Sequence, residues 1–198
     1  MDTAKTIIAL PAPRSHGSMS LETALAQRRT IRDLQPGALT DAEMGQLLWA
    51  AQGITHDGSR RTAPSASGLL ALETYVANGD GLFRYIASGH SLQQLGAADI
   101  RGRLQEATGG QPFVATAPAV VAFSTTPGRL SGRHGEDRAV RYADFEAGHA
   151  GQNLLLQATA LGLGAVPVGS FDDNAVCRLL DLPDGESPRY LFAVGRPA

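Results

Sequence analysis

Residues 142–161, YADFEAGHAGQNLLLQATAL, run without a proline and set small residues (Ala143, Ala147, Gly148, Ala150, Gly151) among Leu154, Leu155 and Leu156. This is the longest helical stretch of the chain, and it is apolar nearly all round. A helix of that kind sits at the centre of a core or packs against another subunit. Gly162 and Gly164 end it, and AVPV (165–168) restarts a strand. Any fold for this chain must therefore be built around one long central helix.

Shorter elements alternate around it. Ser20 is placed to N-cap a helix through about Arg29. Thr40 with Glu43 forms a capping-box pattern ahead of Leu47, Leu48 and Ala51, ended by Gly53. Segments 72–77 (LETYVA) and 82–87 (LFRYIA), joined through Asn78-Gly79, predict a hairpin. A helix is expected near 97–107, a buried strand at 118–124, a short helix at 173–181 and a last strand at 189–194. Residues 54–68 and 125–139 read as irregular loops. Residues 1–19, with Pro11 and Pro13 and no periodicity, read as an extended arm before one domain at 20–198. The class is α+β, with a central antiparallel or mixed sheet flanked by helices.

Composition works by exclusion. A chain of 198 residues suits one domain. A net charge of −2 supplies no global field toward nucleic acid or an anionic membrane surface. No run approaches the roughly 20 apolar residues that cross a bilayer, and Pro11 breaks the apolar stretch Ile7–Leu10, so the expected location is cytoplasmic. Cys177 stands alone, which excludes an internal disulfide and a multi-cysteine metal centre. Glu146-x-x-His149 has the spacing of a di-iron pair, but such a centre needs a second copy, so no metal is expected. Gly162-Leu163-Gly164 leads from helix into strand, the reverse of a dinucleotide fingerprint, and Pro167 stands at its third glycine position.

The remaining concentration of chemistry is Arg28-Arg29-Thr30-Ile31-Arg32, where the first helix ends. One reading is a basic C-cap that complements the helix dipole. The other is phosphate capture, in which arginine forks bind phosphate oxygens and a threonine hydroxyl adds a donor. As the chain leaves the helix, residues 28, 30 and 32 alternate to one side. Each charge-assisted bond contributes about 1.5–3 kcal/mol, so three or four hold a phosphate firmly.

Taken with the segments that follow it, this motif resembles the FMN-dependent nitroreductase superfamily, closest to the branch with the SagB/ThcOx-type dehydrogenases. The likeness runs in matching order from about Leu21 to Pro197. It is carried by RRTIRDL (28–34), LLWAAQGITHDGSRRTAPSASG (47–68) and LETYV (72–76). It continues through GQPFVATAPAVVAF (110–123), RYADFEAGHAGQNLLLQATALGLGAVPVGSFDD (141–173) and YLFAVGRP (190–197). The resemblance implies a nitroreductase-like fold and an obligate homodimer, with the long helix and two FMN sites at its interface. By position, Arg28, Thr30 and Arg32, with Arg29 in the same motif, hold the FMN phosphate, and Arg196 joins them. Ser65, Ala66 and Ser67 match a loop that reaches the flavin from the other subunit. Gln111 matches an amide facing the isoalloxazine edge, and Pro167, Val168 and Gly169 match the segment behind the ring. Gly169 permits close backbone approach, and a backbone donor at flavin N5 stabilises the anionic reduced form.

The implied activity is ping-pong. NAD(P)H delivers hydride to flavin N5, and a small electrophile, a quinone or nitroaromatic, takes the electrons. Two alternatives stay open: a dehydrogenase of an azoline-type tailoring substrate with oxygen as acceptor, and a non-catalytic FMN-binding or storage protein. The sequence departs from the family at Leu70 and Ala71, where a Tyr-Pro pair often stands. It departs again at Arg133-His134, ahead of Gly135-Glu136, where azoline-oxidising members have Lys-Tyr. Loss of the amine and phenol counts against azoline oxidation. His134, beside Arg133, is the candidate acid near neutral pH, or else a solvated loop histidine.

Overall fold

The computed structural model describes residues 6–56 and 60–198. Its strands are β1 (Ile7–Ala9), β2 (Ile54–Thr55), β3 (Arg60–Arg61), β4 (Leu72–Asn78), β5 (Gly81–Ile86), β6 (Ser91–Gly96), β7 (Ala119–Thr125), β8 (Gly164–Val168) and β9 (Ser187–Gly195). Its helices are α1 (Leu21–Gln27), α2 (Asp41–Gln52), α3 (Arg101–Ala107), α4 (Pro112–Thr116), α5 (Gly128–His134), α6 (Glu136–Ala160) and α7 (Asp173–Leu180). Seven strands form one sheet in the order β1-β6-β5-β4-β7-β9-β8, and every pairing in it is antiparallel. β2 and β3 form a separate small hairpin.

The central strands are buried on both faces, which is why they read as unbroken apolar runs and not as alternation. Val121, Phe123, Phe192 and Val194 face Leu47, Leu48 and Ala51 of α2 and Ala147, Ala150 and Leu154 of α6. Their neighbours Val120, Ala122, Leu191 and Ala193 face Leu104 of α3, Val114 of α4 and Val176 and Leu180 of α7. Two hydrophobic cores thus share one sheet, and the two-residue period of the strands sorts side chains between them.

The long helix is α6, and it divides into two faces. Ala139, Ala143, Ala147, Ala150, Leu154 and Ala158 form its buried stripe. Gly151 belongs to that stripe: a β-carbon there would meet Phe192 Cζ at 2.7 Å. Outside the stripe α6 exposes Val140 (43%), beside its first residue, and Phe145 (54%), opposite it, and α1, which packs on α6, exposes Leu21 (62%) and Leu25 (53%). Glu146 is buried at the stripe and accepts from the backbone N–H groups of Ala71 and Leu72, both at 3.3 Å. Its carboxylate pins the start of β4 to α6, while His149 of the same Glu-x-x-His pattern is exposed. Among the described residues no group of three metal-ligating side chains occurs, and no helix is long and apolar enough to cross a membrane.

Three stretches expected to lack regular structure contain it. Residues 125–139, expected as a loop, contain α5 and the first turn of α6, joined at Gly135 with φ +78°. The glycines at 128, 132 and 135 lower helix propensity, but burial of Leu130 against Ala139 and Ala143 overrides it. Within 1–19, Ile7–Ala9 pairs with Gln93, Leu92 and Ser91 as an edge strand, and residues 1–5 of the expected arm lie outside the described residues. Within 54–68 the β2–β3 hairpin and a 3-10 turn at Ala66–Gly68 appear, with 57–59 outside the described residues.

Gly151→Leu is expected to lower the melting temperature by about 4–8 °C. Because even the β-carbon meets the Phe192 ring, overpacking falls at the upper end of about 1–3 kcal/mol; less about 1 kcal/mol gained in helix propensity this leaves about 2 kcal/mol, and a chain of this size loses about 2–4 °C per kcal/mol. Thermal unfolding followed by circular dichroism checks this. An unchanged midpoint would show that the Phe192 ring yields.

Candidate functional site

Arg28 closes α1, its N–H donating to Ala24 O at 2.9 Å. The chain then runs extended along the outer edge of β8, the last strand of the sheet. Thr30 pairs with Ala165 in parallel, and Ile31 N–H donates to Ala165 O at 3.3 Å. Leu34 bridges Pro197, and Gln35 N–H donates to Arg196 O at 2.8 Å. Gly164 makes the approach possible, because a β-carbon there would lie 2.9 Å from Leu34 Cδ2 and 3.0 Å from Ile31 Cβ. Residues 28–34, 164–169 and 196–197 are thereby brought to one corner.

The expected alternation shows only from Thr30 to Arg32, since Arg29 and Asp33 are exposed as well. Ile31 packs against the core that contains Val166, while Thr30 and Arg32 are exposed and Arg28 is half-buried. The four arginines divide between the two readings of the motif. Arg29 Nη1 donates to Ala26 O at 2.9 Å and Arg28 O at 2.7 Å, so its side chain caps α1. Arg196 reaches α2, donating to Glu43 Oε1 at 2.7 Å and Ala38 O at 3.3 Å. Among the described residues, the guanidinium groups of Arg28 and Arg32 have neither a hydrogen bond nor an ion pair. Burial pushes the Glu43 carboxyl up, but the backbone N–H and hydroxyl of Thr40, with Arg196, outweigh it and hold the group below the usual carboxylate range.

Beyond the Thr30 bridge, β8 carries Pro167, half-buried and without an N–H, then buried Val168 and exposed Gly169. Gln111 stands at the N-cap of α4, and its Nε2 donates to Thr108 O at 3.0 Å.

A second group forms around Ser65, Ala66 and Ser67. Ser65 Oγ accepts from Leu70 N–H at 2.9 Å. Ser67 and Leu70 hold φ of +54° and +51°, a region that non-glycine residues enter at a cost and that gathers at functional sites. α5 braces this turn, since Arg129 donates to Leu70 O at 2.7 Å and to Glu73 Oε1 at 2.6 Å. His134 sits in the last turn of α5, where Nε2 lies 3.1 Å from Ser67 Oγ and the ring packs edge-on to Tyr142 at 5.0 Å. It is a held side chain on a helix, and not the solvated loop histidine of the alternative reading. Arg133 beside it is exposed. Sequence reasoning missed Arg129 and Tyr142 and weighed Glu146 only as half of a metal pair; Arg129 was hidden by the reading of 125–139 as a loop. Among the described residues no hydrogen bond or ion pair links the Ser65–His134 group to the Arg28–Arg196 corner.

Comparisons with known proteins find relatives that span nearly the whole chain. The profile described as the nitroreductase family matches residues 25–196. A candidate nitroreductase of Methanocaldococcus jannaschii is 36% identical over 184 residues, covering 90% of this chain and 91% of that protein. The crystal structure of a candidate nitroreductase of Ralstonia eutropha superposes with a TM-score of 0.89 at 32% identity, covering 100% of this chain and 92% of that one. An NADPH:FMN oxidoreductase of Vibrio harveyi, crystallised with NAD+, shares the fold at TM-score 0.69 and 20% identity over 89% of this chain and 68% of that one.

The low carboxyl pKa of Glu43 gives its pairing a defined pH window. The stabilisation is present above the unfolded value of about 4.3 and is lost as pH falls through the lower folded value. Glu43→Gln is therefore expected to be less stable than the parent at pH 7, with the difference closing below about pH 4. Urea unfolding across that range measures it, and a constant difference would refute the pairing.

Proposed function

The chain belongs to the nitroreductase family, and from that premise we propose that it is an FMN-dependent oxidoreductase working near the SagB/ThcOx-type branch. NAD(P)H of the cytoplasm supplies the electrons, and a small electrophile, a quinone or nitroaromatic, removes them in a second half-reaction at the same site. The observation that carries this reading is the pair of guanidinium groups, Arg28 and Arg32, that flank the Thr30 hydroxyl and have no partner among the described residues. Two unpaired cations on either side of a hydroxyl in the chain form a donor set for a phosphate dianion, and the residues present fit that group.

When bound, the flavin supplies the hydride chemistry. Arg28, Thr30 and Arg32 hold its phosphate, and Arg29 keeps α1 capped beneath them. Arg196, paired with Glu43, adds positive charge from the exit of β9. Gly169, exposed at the end of β8, offers a backbone N–H with no side chain to stand before a planar ring. Gln111 supplies an amide for the ring edge. His134, held by Ser67 and Tyr142, is the proton donor to the acceptor, with Arg133 raising the local positive potential.

A second copy of the chain completes the site. Leu21 and Leu25 of α1 and Val140 and Phe145 of α6 are exposed apolar side chains that a partner buries. That partner brings its Ser65–Ser67 turn and His134 to the Arg28–Arg32 corner, which neither chain does for itself.

Two outcomes follow. Arg32→Ala is expected to weaken FMN binding roughly 10- to 100-fold, the equivalent of one or two charge-assisted bonds, when flavin fluorescence quenching is titrated. Unaltered affinity would remove the phosphate assignment. Phe145→Asp is expected to yield monomers in size-exclusion with light scattering, together with loss of flavin. A monomer that retains full flavin would contradict the shared site, and a dimer would place the interface elsewhere.

A further inference from the structure

Leu70 holds φ of +51°, a region that a branched side chain enters at a cost and keeps only where its surroundings fix it. Side chains from three places do the fixing. Leu70 N–H donates to Ser65 Oγ at 2.9 Å, and Leu70 O accepts from Arg129 Nη1 of α5 at 2.7 Å. The next two N–H groups, of Ala71 and Leu72, donate to Glu146 Oε2 and Oε1 of α6, each at 3.3 Å. Ala71 O accepts from Thr126 N–H at 2.9 Å. The backbone from Leu70 N–H to Leu72 N–H is thus fully paired where β4 begins its ladder with β7.

Glu146 is the one polar residue in the buried stripe of α6. It is 1% exposed and, among the described residues, has no ion pair. A buried carboxylate without a cation is costly. A glutamine of the same shape offers one acceptor oxygen where the carboxylate offers two, and the Ala71 and Leu72 N–H groups take both. The clamp bears on the turn that precedes it. The carbonyls of Ser65 and Ala66 accept from Gly68 N–H at 3.0 Å and Leu69 N–H at 3.2 Å, which ties the turn to itself. Ala66 and Leu69 rest on the small cluster of Ala71, Leu130, Ala139 and Ala143, which joins the turn to α5 and the start of α6.

We infer that Glu146, together with Arg129, is a positioning residue for the reaction. The two hold the strained backbone at Leu70–Leu72 from opposite elements and so set where the Ser65–Ser67 turn stands against the flavin of the second copy. Neither belongs to the residues assigned to the flavin or to the acceptor. The inference rests on the flavin reading for what the turn meets, and on this chain alone for how the turn is held.

The test compares Glu146→Gln with the parent in two states. In the flavin-free chain, amide hydrogen exchange across 65–72 is expected to quicken about tenfold or more, with β7 and β9 unchanged. In the FMN-loaded chain, with NADPH and 1,4-benzoquinone well below the melting temperature, kcat is expected to fall about 10- to 100-fold with KM within about twofold. The visible bands of the bound FMN shift with it, and they decide alone if the parent does not turn over benzoquinone. Arg129→Met is expected to act in the same direction, and Arg129→Lys, which keeps one donor for Leu70 O, to recover most of the loss. Should Glu146→Gln fail to fold, Arg129→Met, a change at an exposed side chain, takes its place. Unchanged exchange across 65–72 would overturn the inference, because the turn is then held without the clamp. Faster exchange with parental kcat and band positions would also overturn it, leaving Glu146 a residue of the fold. A parent chain that takes up no FMN would refute the flavin reading itself, and this role with it, whatever the exchange rates.

Discussion

The backbone pairing of Thr30 with Ala165 is the contact on which the rest of the site depends. An edge strand presents unpaired N–H and C=O groups, and β8 has the extended segment 30–34 laid along that edge. The same pairing fixes the direction of each side chain in the segment. Ile31 and Leu34 turn inward, and Thr30 and Arg32 turn out. Gly164 permits the approach at one end, and Leu34 against Pro197 closes it at the other. The backbone that carries the cationic cluster is thereby held beside β8 instead of trailing from the end of α1.

The division of α6 into two faces extends that logic to assembly. Its alanine stripe lets α6 lie close on the sheet and on α2, with Gly151 under the Phe192 ring. Val140 and Phe145 near its start stay exposed, as do Leu21 and Leu25 of α1. One chain thus holds the Arg28–Arg32 corner and the Ser67–His134 turn with no hydrogen bond between them among the described residues, the separation that the proposed two-chain site would close.

Much of this was legible in the sequence, and the exceptions have physical causes. The doubly buried strands β7 and β9 read as continuous apolar runs, and the capping box at Thr40 and Glu43 formed as written. β6 escaped because the register shifts beside Leu82, where Gly96 and then Gln94 pair with successive residues and Leu95 is extra. That bulge puts Leu92 and Leu95 three residues apart, a spacing that does not look like a strand. α5 escaped because its glycines mask a helix held by tertiary burial of Leu130. Gly151 reads as a candidate for close helix contact but gives no sign of which partner it meets, and the structure assigns it to Phe192. The RRTIR motif announced a cationic cluster, yet only the geometry separates the capping Arg29 from Arg28 and Arg32.

The most direct measurement is the visible absorption spectrum of the purified protein after incubation with FMN and gel filtration, before and after anaerobic addition of NADPH. The account predicts that the two visible bands of an oxidised flavin travel with the protein and bleach when NADPH is added. A protein that emerges colourless would contradict the assignment of Arg28, Thr30 and Arg32 as a phosphate site and return the cluster to a surface helix cap.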